Sequence, residues 1–225
     1  MADTVFLFDV DNTLLDNDRV QADLGAHLAK YYGEQTCDRY WKIFEDLRSE
    51  LGYSDYLGAL ERYRLEAMHD PKLLRMANWL VDYPFQKRLY PDAIAVVRAA
   101  QLVGTTAILS DGDAVFQPRK VERSGLWRVF GDNVLIYVHK EVELADVENH
   151  FPARHYVMID DKLRILDAIK RVRGDRVTTV FPRQGHYATD RNIVAEFSSA
   201  DITIERIGDL LATLQPWPSD KGTEP

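Results

Sequence analysis

Asp9 and Asp11 stand two residues apart at the end of an apolar run, Val5-Phe6-Leu7-Phe8, and the hydroxyl of Thr13 follows two residues later. Four consecutive large apolar residues fit a strand covered on both faces, as in a parallel sheet sandwiched between helices. Such a strand ends at the sheet edge where loops and ligands meet, so both carboxylates emerge there together. Like charges that close repel unless a cation or a shared proton relieves them. The acid-x-acid-x-hydroxyl spacing therefore points to a metal and to nucleophilic or acid/base chemistry. Three later stretches also close apolar runs on polar groups: Leu109-Ser110-Asp111-Gly112, the run 134–138 leading to Lys140, and Met158-Ile159-Asp160-Asp161. In a parallel sheet these strand ends share one edge, so residues remote in sequence converge.

The elements that must position these groups fall into two kinds. Strands are predicted up to Asp9 and over 105–109, 134–138, 155–159, 177–181 and 201–204, with helices over 93–102, 114–124, 163–172 and 207–214 between or after them. Strands alternating with helices imply right-handed crossovers and a mostly parallel sheet: a Rossmann-like α/β domain. Between Val20 and Phe85 the pattern is helical instead. Val20, Leu24 and Leu28 recur at helical spacing, as do Tyr40, Phe44, Leu47 and Leu51, with Gly52 placed to stop that helix. A third segment carries Leu57, Leu60 and Tyr63. A fourth opens with Asp70 as N-cap and Pro71 in first helical position, continuing through Leu74, Ala77 and Leu80. The expected organisation is a discontinuous core, 1–15 and 86–215, an inserted helical bundle over 16–85, and a polar tail over 216–225. The many tyrosines and tryptophans of the insert read mainly as packing residues. Arg19 and Arg48 read as a solvated face, and His139 and His186 receive no role.

Composition narrows the function classes. A chain of 225 residues can bury roughly 70–75% of its unfolded surface without disulfides, and its single cysteine, Cys37, has no partner in the chain. No apolar stretch approaches the ~20 residues that span a bilayer, and the opening residues lack a basic-then-apolar signal segment. A cytoplasmic protein without membrane association is expected. The net charge of −8 and pI of 5.3 disfavour nucleic-acid binding. An anionic substrate remains compatible if a local cation and backbone N–H groups receive it.

The four ordered motifs resemble those of the haloacid dehalogenase-like superfamily, in particular its phosphatase branch with a helical cap inserted after the first motif. The likeness extends over about residues 4 to 215. Phe8-Asp9-Val10-Asp11-Asn12-Thr13-Leu14-Leu15 is similar to the family's Asp-x-Asp-x-Thr motif, Ser110 to its second, Lys140 to its third, and Asp160-Asp161 to the paired-acid form of its fourth. The resemblance implies a Mg²⁺-dependent phosphatase that hydrolyses a small phosphorylated metabolite through an aspartyl-phosphate. Asp9 would be the nucleophile, and Asp11 the general acid and then base. Mg²⁺ would be held by Asp9, the carbonyl of Asp11 and Asp160, with Asp161 as ligand or orienter. Thr13, Ser110 and the N–H groups of Asp111 and Gly112 would receive the phosphoryl oxygens near a helix N-terminus. Lys140 would offset negative charge.

The chain departs from the family pattern at Asp111, where Asn is more usual, at Glu141, where Pro often follows the lysine, and at Arg164, where an acid often stands. Lys120 thus competes with Lys140 for the third role. A phosphomutase shares these motifs and differs in excluding water, and a non-catalytic phosphate-binding module would not need Asp11. A dehalogenase is disfavoured because Asp11 is retained as an acid. Substrate identity and oligomeric state are left open by the motifs.

Overall fold

The computed structural model describes residues 2–214; the predicted polar tail, 216–225, lies outside them. Six strands form one wholly parallel sheet: β1 (Ala2–Phe8), β2 (Thr105–Asp111), β3 (Val134–Tyr137), β4 (Ala153–Ile159), β5 (Val177–Pro182) and β6 (Ile202–Ile204). Their order is β3-β2-β1-β4-β5-β6. The chain winds outward from β1 through β2 and β3, then crosses back to set β4 on the other side of β1. This reversal opens a crevice beyond the carboxyl ends of the central strands, where ligands bind in such sheets.

Before β2 the chain forms α1 (Asn17–Tyr32), α2 (Glu34–Leu51), α3 (Tyr56–Glu66), α4 (Lys72–Val81) and, at the sheet, α5 (Ala93–Gln101). The first two bury the predicted stripes, Val20, Leu24 and Leu28 on α1, and Tyr40, Phe44 and Leu47 on α2. Gly52 stops α2 in the left-handed region, φ 80°, and its N–H donates to Arg48 O. The fourth helix buries Leu80 as expected, but its first turns differ by one register position. It buries Leu73, Met76 and Leu80, while Leu74 is exposed. Both frames offer apolar residues at helical spacing, and packing against neighbours selects one.

The sheet is covered on both faces, and β1 alternates between them. Phe6 and Phe8 join the layer of α5, α6 (Phe116–Ser124) and α7 (Leu126–Phe130). Val5 and Leu7 join the layer of α8 (Leu144–His150) and α9 (Leu163–Arg173). The insert shares the first of these cores. Phe44, Tyr56, Phe116, Phe85 and Tyr83 make successive ring contacts at 4.8, 5.0, 5.7 and 5.0 Å, running from α2 to the sheet domain. After β5 a short helix, α10 (Gly185–Thr189), turns back toward the insert. The closing segment is a 3-10 helix, Ile207–Ala212, where an α-helix was expected. Gly208 near its start weakens α-helical propensity there. Among the described residues no helix is long and apolar enough to cross a membrane.

Candidate active site

Two ladder bonds extend the central strands into the crevice. Asp9 N–H donates to Ile159 O at 3.0 Å, and Asp160 N–H donates to Val180 O at 3.1 Å. Asp9 and Asp160 therefore leave neighbouring strands side by side. The chain then turns at Asn12, whose φ of 58° is left-handed, a region Asn tolerates better than most residues. Its Oδ1 accepts the N–H groups of Asn17 and Asp18, which starts α1 and the insert. Gln184 ties this loop to the far edge of the sheet: Nε2 donates to the carbonyls of Asn12 and Thr13, and Oε1 accepts Ile207 N–H.

Asp9, Asp160 and Asp161 each present a carboxylate oxygen within 4.8 Å of the others, all three buried. Lys140 is 1% exposed, with Nζ 2.5 Å from Asp9 Oδ1, 2.7 Å from Asp160 Oδ2 and 3.3 Å from Leu109 O. The approach to Asp160 Oδ2 lies outside hydrogen-bond geometry, and neither Asp161 oxygen has a hydrogen-bond partner. Burial pushes the Asp160 carboxyl up to about 6 and Asp161 well above the usual carboxylate range. Burial opposes the charge of Lys140, but Asp160, Asp9 and Asp111 outweigh it and raise its pKa well above that of a free lysine. Buried polar atoms are rarely left without a partner. Three carboxylates of hard oxygen donors, with Asp160 Oδ2 and both Asp161 oxygens lacking a hydrogen-bond partner, fit a small divalent cation such as Mg²⁺.

The two lysines take different carboxylates. Lys140 takes Asp9 and Asp160, while Lys120 takes Asp11, with Nζ 2.6 and 2.7 Å from its two oxygens and 3.1 Å from Asn17 Oδ1. The Asp11 carboxylate thus stands apart from the three-acid cluster. Lys120 is fully buried, and the rings of Tyr56 and Phe116 lie 5.9 and 5.4 Å from its ammonium. Replacing it with Met keeps the packing volume and removes the clamp on Asp11. Since small misplacements of a reacting group cost about 10²-fold, Lys120→Met is expected to lower kcat by roughly that factor with KM little changed. Steady-state kinetics check this; an unchanged kcat would show that the clamp does not orient Asp11.

The other sequence-predicted residues take more structural places than expected. Thr13 is fully buried and its Oγ1 accepts Asp161 N–H at 3.1 Å, fastening the first and fourth loops together. Ser110 Oγ accepts from Gln117 Nε2 at 3.0 Å. The Asp111 carboxylate accepts Lys140 N–H at 2.7 Å, so the acid found in place of Asn fixes the turn carrying the lysine. Gly112 N–H is committed to Tyr137 O, as an extension of the β2–β3 ladder. The first N–H groups of α6 are also engaged, because Asp113 Oδ1 accepts from Val115 and Phe116. The anion-receiving turn expected at Asp111 and Gly112 therefore has fewer free donors than its sequence implies. Glu141, in place of Pro, is bonded by Arg164, which replaces the missing acid.

A cavity of about 320 Å³ separates the insert from the carboxyl edge of the sheet, lined by Asp11, Asn12, Phe44, Arg48, Lys162 and Tyr187 among others. Three of its linings were not expected from sequence. Lys162 follows the paired acids directly. Tyr187 and His186 come from α10: Tyr187 Oη accepts from Arg48 of α2, and His186 bonds Asp18 of α1 through Nδ1 at 2.6 Å and its N–H at 2.7 Å. The core thus reaches the insert across the mouth of the cavity at two places.

Residues 4–173 match the family model of haloacid dehalogenase-like hydrolases, and the chain belongs to that family. A solved haloacid dehalogenase-like hydrolase from Burkholderia xenovorans LB400 is 60% identical, with a TM-score of 0.90 over 93% of this chain and 97% of that one. The L-2-haloacid dehalogenase of Xanthobacter autotrophicus shares the fold at 20% identity, TM-score 0.63, covering 95% and 98% of the two chains. So does the magnesium-bound HAD-hydrolase YfnB of Bacillus subtilis, at 16% identity and TM-score 0.63 over 94% and 98%. No curated protein matches the chain by sequence.

Proposed function

We propose that this hydrolase is a Mg²⁺-dependent phosphatase of small phosphorylated metabolites, working through an aspartyl-phosphate on Asp9. The observation that carries the reading is the buried cluster of Asp9, Asp160 and Asp161, with both Asp161 oxygens unsatisfied. A carboxylate nucleophile alone does not need two more acids beside it, whereas a cation site does. Mg²⁺ held by these three acids would offset charge on the phosphoryl oxygens and direct them toward Asp9.

The residues divide the remaining work. An Asp9 oxygen attacks phosphorus, forming the O–P bond as the ester P–O bond breaks, and Asp11 gives its proton to the departing oxygen. Asp11 then takes a proton from water as that water attacks phosphorus, releasing phosphate and restoring Asp9. Lys140 holds Asp9 in place and opposes the charge that gathers there. Lys120 fixes the direction of the Asp11 carboxylate. The cavity lies at the small end of the range for ligand sites, about 300–1,000 Å³, which favours a small leaving group.

Displacement of halide from a 2-halo acid is the second reading, favoured by the structural likeness to L-2-haloacid dehalogenases. Asp9 would serve it equally well. Halide leaves without a proton, so the first step has no use for Asp11 as an acid, and hydrolysis of the resulting Asp9 ester needs one base to take a proton from water, not a cluster of three further acids. Purified protein with MgCl₂ is expected to release phosphate from p-nitrophenyl phosphate and no chloride from 2-chloropropionate. Chloride release without phosphate release would reverse the assignment.

A further inference from the structure

The charges around the cavity pair off with one exception. Lys120 is on Asp11, Arg48 bonds Glu45 at 2.6 and 2.9 Å, and His186 bonds Asp18. Lys162 lines the same cavity, and among the described residues its ammonium has no hydrogen-bond acceptor and no carboxylate within ion-pair distance; the Tyr187 ring lies 5.2 Å away. Tyr187 supplies a second unused donor. Its Oη accepts from Arg48 Nη1, which holds the ring in position, and its own O–H has no acceptor among the described residues. An ammonium and a phenol, both short of an acceptor and facing one small cavity beside Asp11, form a binding place for an anion.

We propose that Lys162 and Tyr187 bind a carboxylate on the leaving group, so that the preferred substrate is a short phosphorylated hydroxy acid. The inference rests on the phosphatase reading for the identity of the reacting group, and on the cavity alone for the carboxylate. Lys162 and Tyr187 line the cavity together with Asp11, the acid that meets the leaving oxygen in the phosphatase reading, whereas Asp9, Asp160 and Asp161 are not among its lining, which places the anion on the leaving group. Tyr187 is bonded by Arg48 of α2, so this part of the cavity adjoins the insert. The carboxylate is recognised and not transformed: water is consumed, and phosphate and the free hydroxy acid leave.

The test compares 3-phosphoglycerate with glycerol 3-phosphate, which share a three-carbon skeleton and differ by carboxylate against hydroxymethyl. Charge-assisted hydrogen bonds are expected to favour the acid by about 10- to 100-fold in kcat/KM. Tyr187→Phe, which keeps the ring, and Lys162→Met should each collapse that ratio toward one. Equal losses on both substrates in Lys162→Met would put the ammonium on the transferring phosphoryl group and overturn the proposal, as would a wild-type ratio near one. Calorimetric titration with glycerate and with glycerol reads the subsite without turnover. Glycerate should bind more tightly to wild type by a similar factor and lose that advantage in both variants. If neither ester is hydrolysed while the glycerate preference persists, the phosphatase reading fails and the subsite stands. No glycerate preference would refute the subsite.

Discussion

Asp9→Asn is expected to lose turnover by roughly 10⁴-fold or more, the scale seen when a nucleophile is removed from an otherwise intact site. The amide has almost the same shape as the carboxylate and its oxygen can still accept from Lys140, but it cannot form the ester with phosphorus. Stability should change little, for a reason specific to this site. Removing one member of a buried ion pair normally costs several kcal/mol because a charge is stranded. Here Lys140 has two carboxylate partners, at 2.5 and 2.7 Å, so losing Asp9 leaves it paired with Asp160. The substitution also relieves repulsion among three buried acids. Thermal unfolding within a few degrees of wild type, together with loss of single-turnover phosphate release, is the expected pair of results. A folded variant retaining a tenth of the wild-type rate would remove Asp9 from the nucleophile's place.

The centre of this arrangement is legible in the chain because it depends on strand ends. Phe6-Leu7-Phe8 must be buried on both faces, Asp9 follows at once, and parallel pairing brings Ile159-Asp160 beside it. The same logic carries Lys140 to Asp9, although 131 positions separate them. What depends on helix faces and loop conformation is less visible. Lys120 lies on α6 at the buried spacing Phe116, Gln117, Lys120, Val121, Ser124. Three polar residues on that face are a readable anomaly, but the partner of Lys120, Asp11, is fixed only by the turn at Asn12. Tyr187 and His186 follow β5, and nothing local says that α10 will reach across to α1 and α2. Gly112 shows the converse. A glycine after a strand-ending serine looks like a free donor turn, yet the sheet continues one residue further and consumes its N–H.

Metal dependence gives the second large effect, and Asp161 is the residue that isolates it. Chelation with EDTA is expected to abolish phosphate release, and MgCl₂ to restore it. A ligand bound only by the folded state stabilises it by about 2.7 kcal/mol at 100 times its Kd, which corresponds to roughly 5–10 °C for a domain of this size. Wild type should therefore show a Mg²⁺-dependent rise in Tm of that order. Asp161→Asn should lose most of this rise. The sign in metal-free protein is the discriminating feature. Both Asp161 oxygens are buried without a hydrogen-bond partner, and burial raises the carboxyl well above its ordinary range, so its ionised form is a cost to the folded state when no cation is present. A neutral amide removes that cost and can donate to the neighbouring Asp9 or Asp160 carboxylate. Metal-free Asp161→Asn should accordingly melt at or above the temperature of metal-free wild type, while melting below it in saturating MgCl₂. A variant less stable than wild type by the same margin in EDTA and in MgCl₂ would assign Asp161 to packing and leave the cation without this ligand.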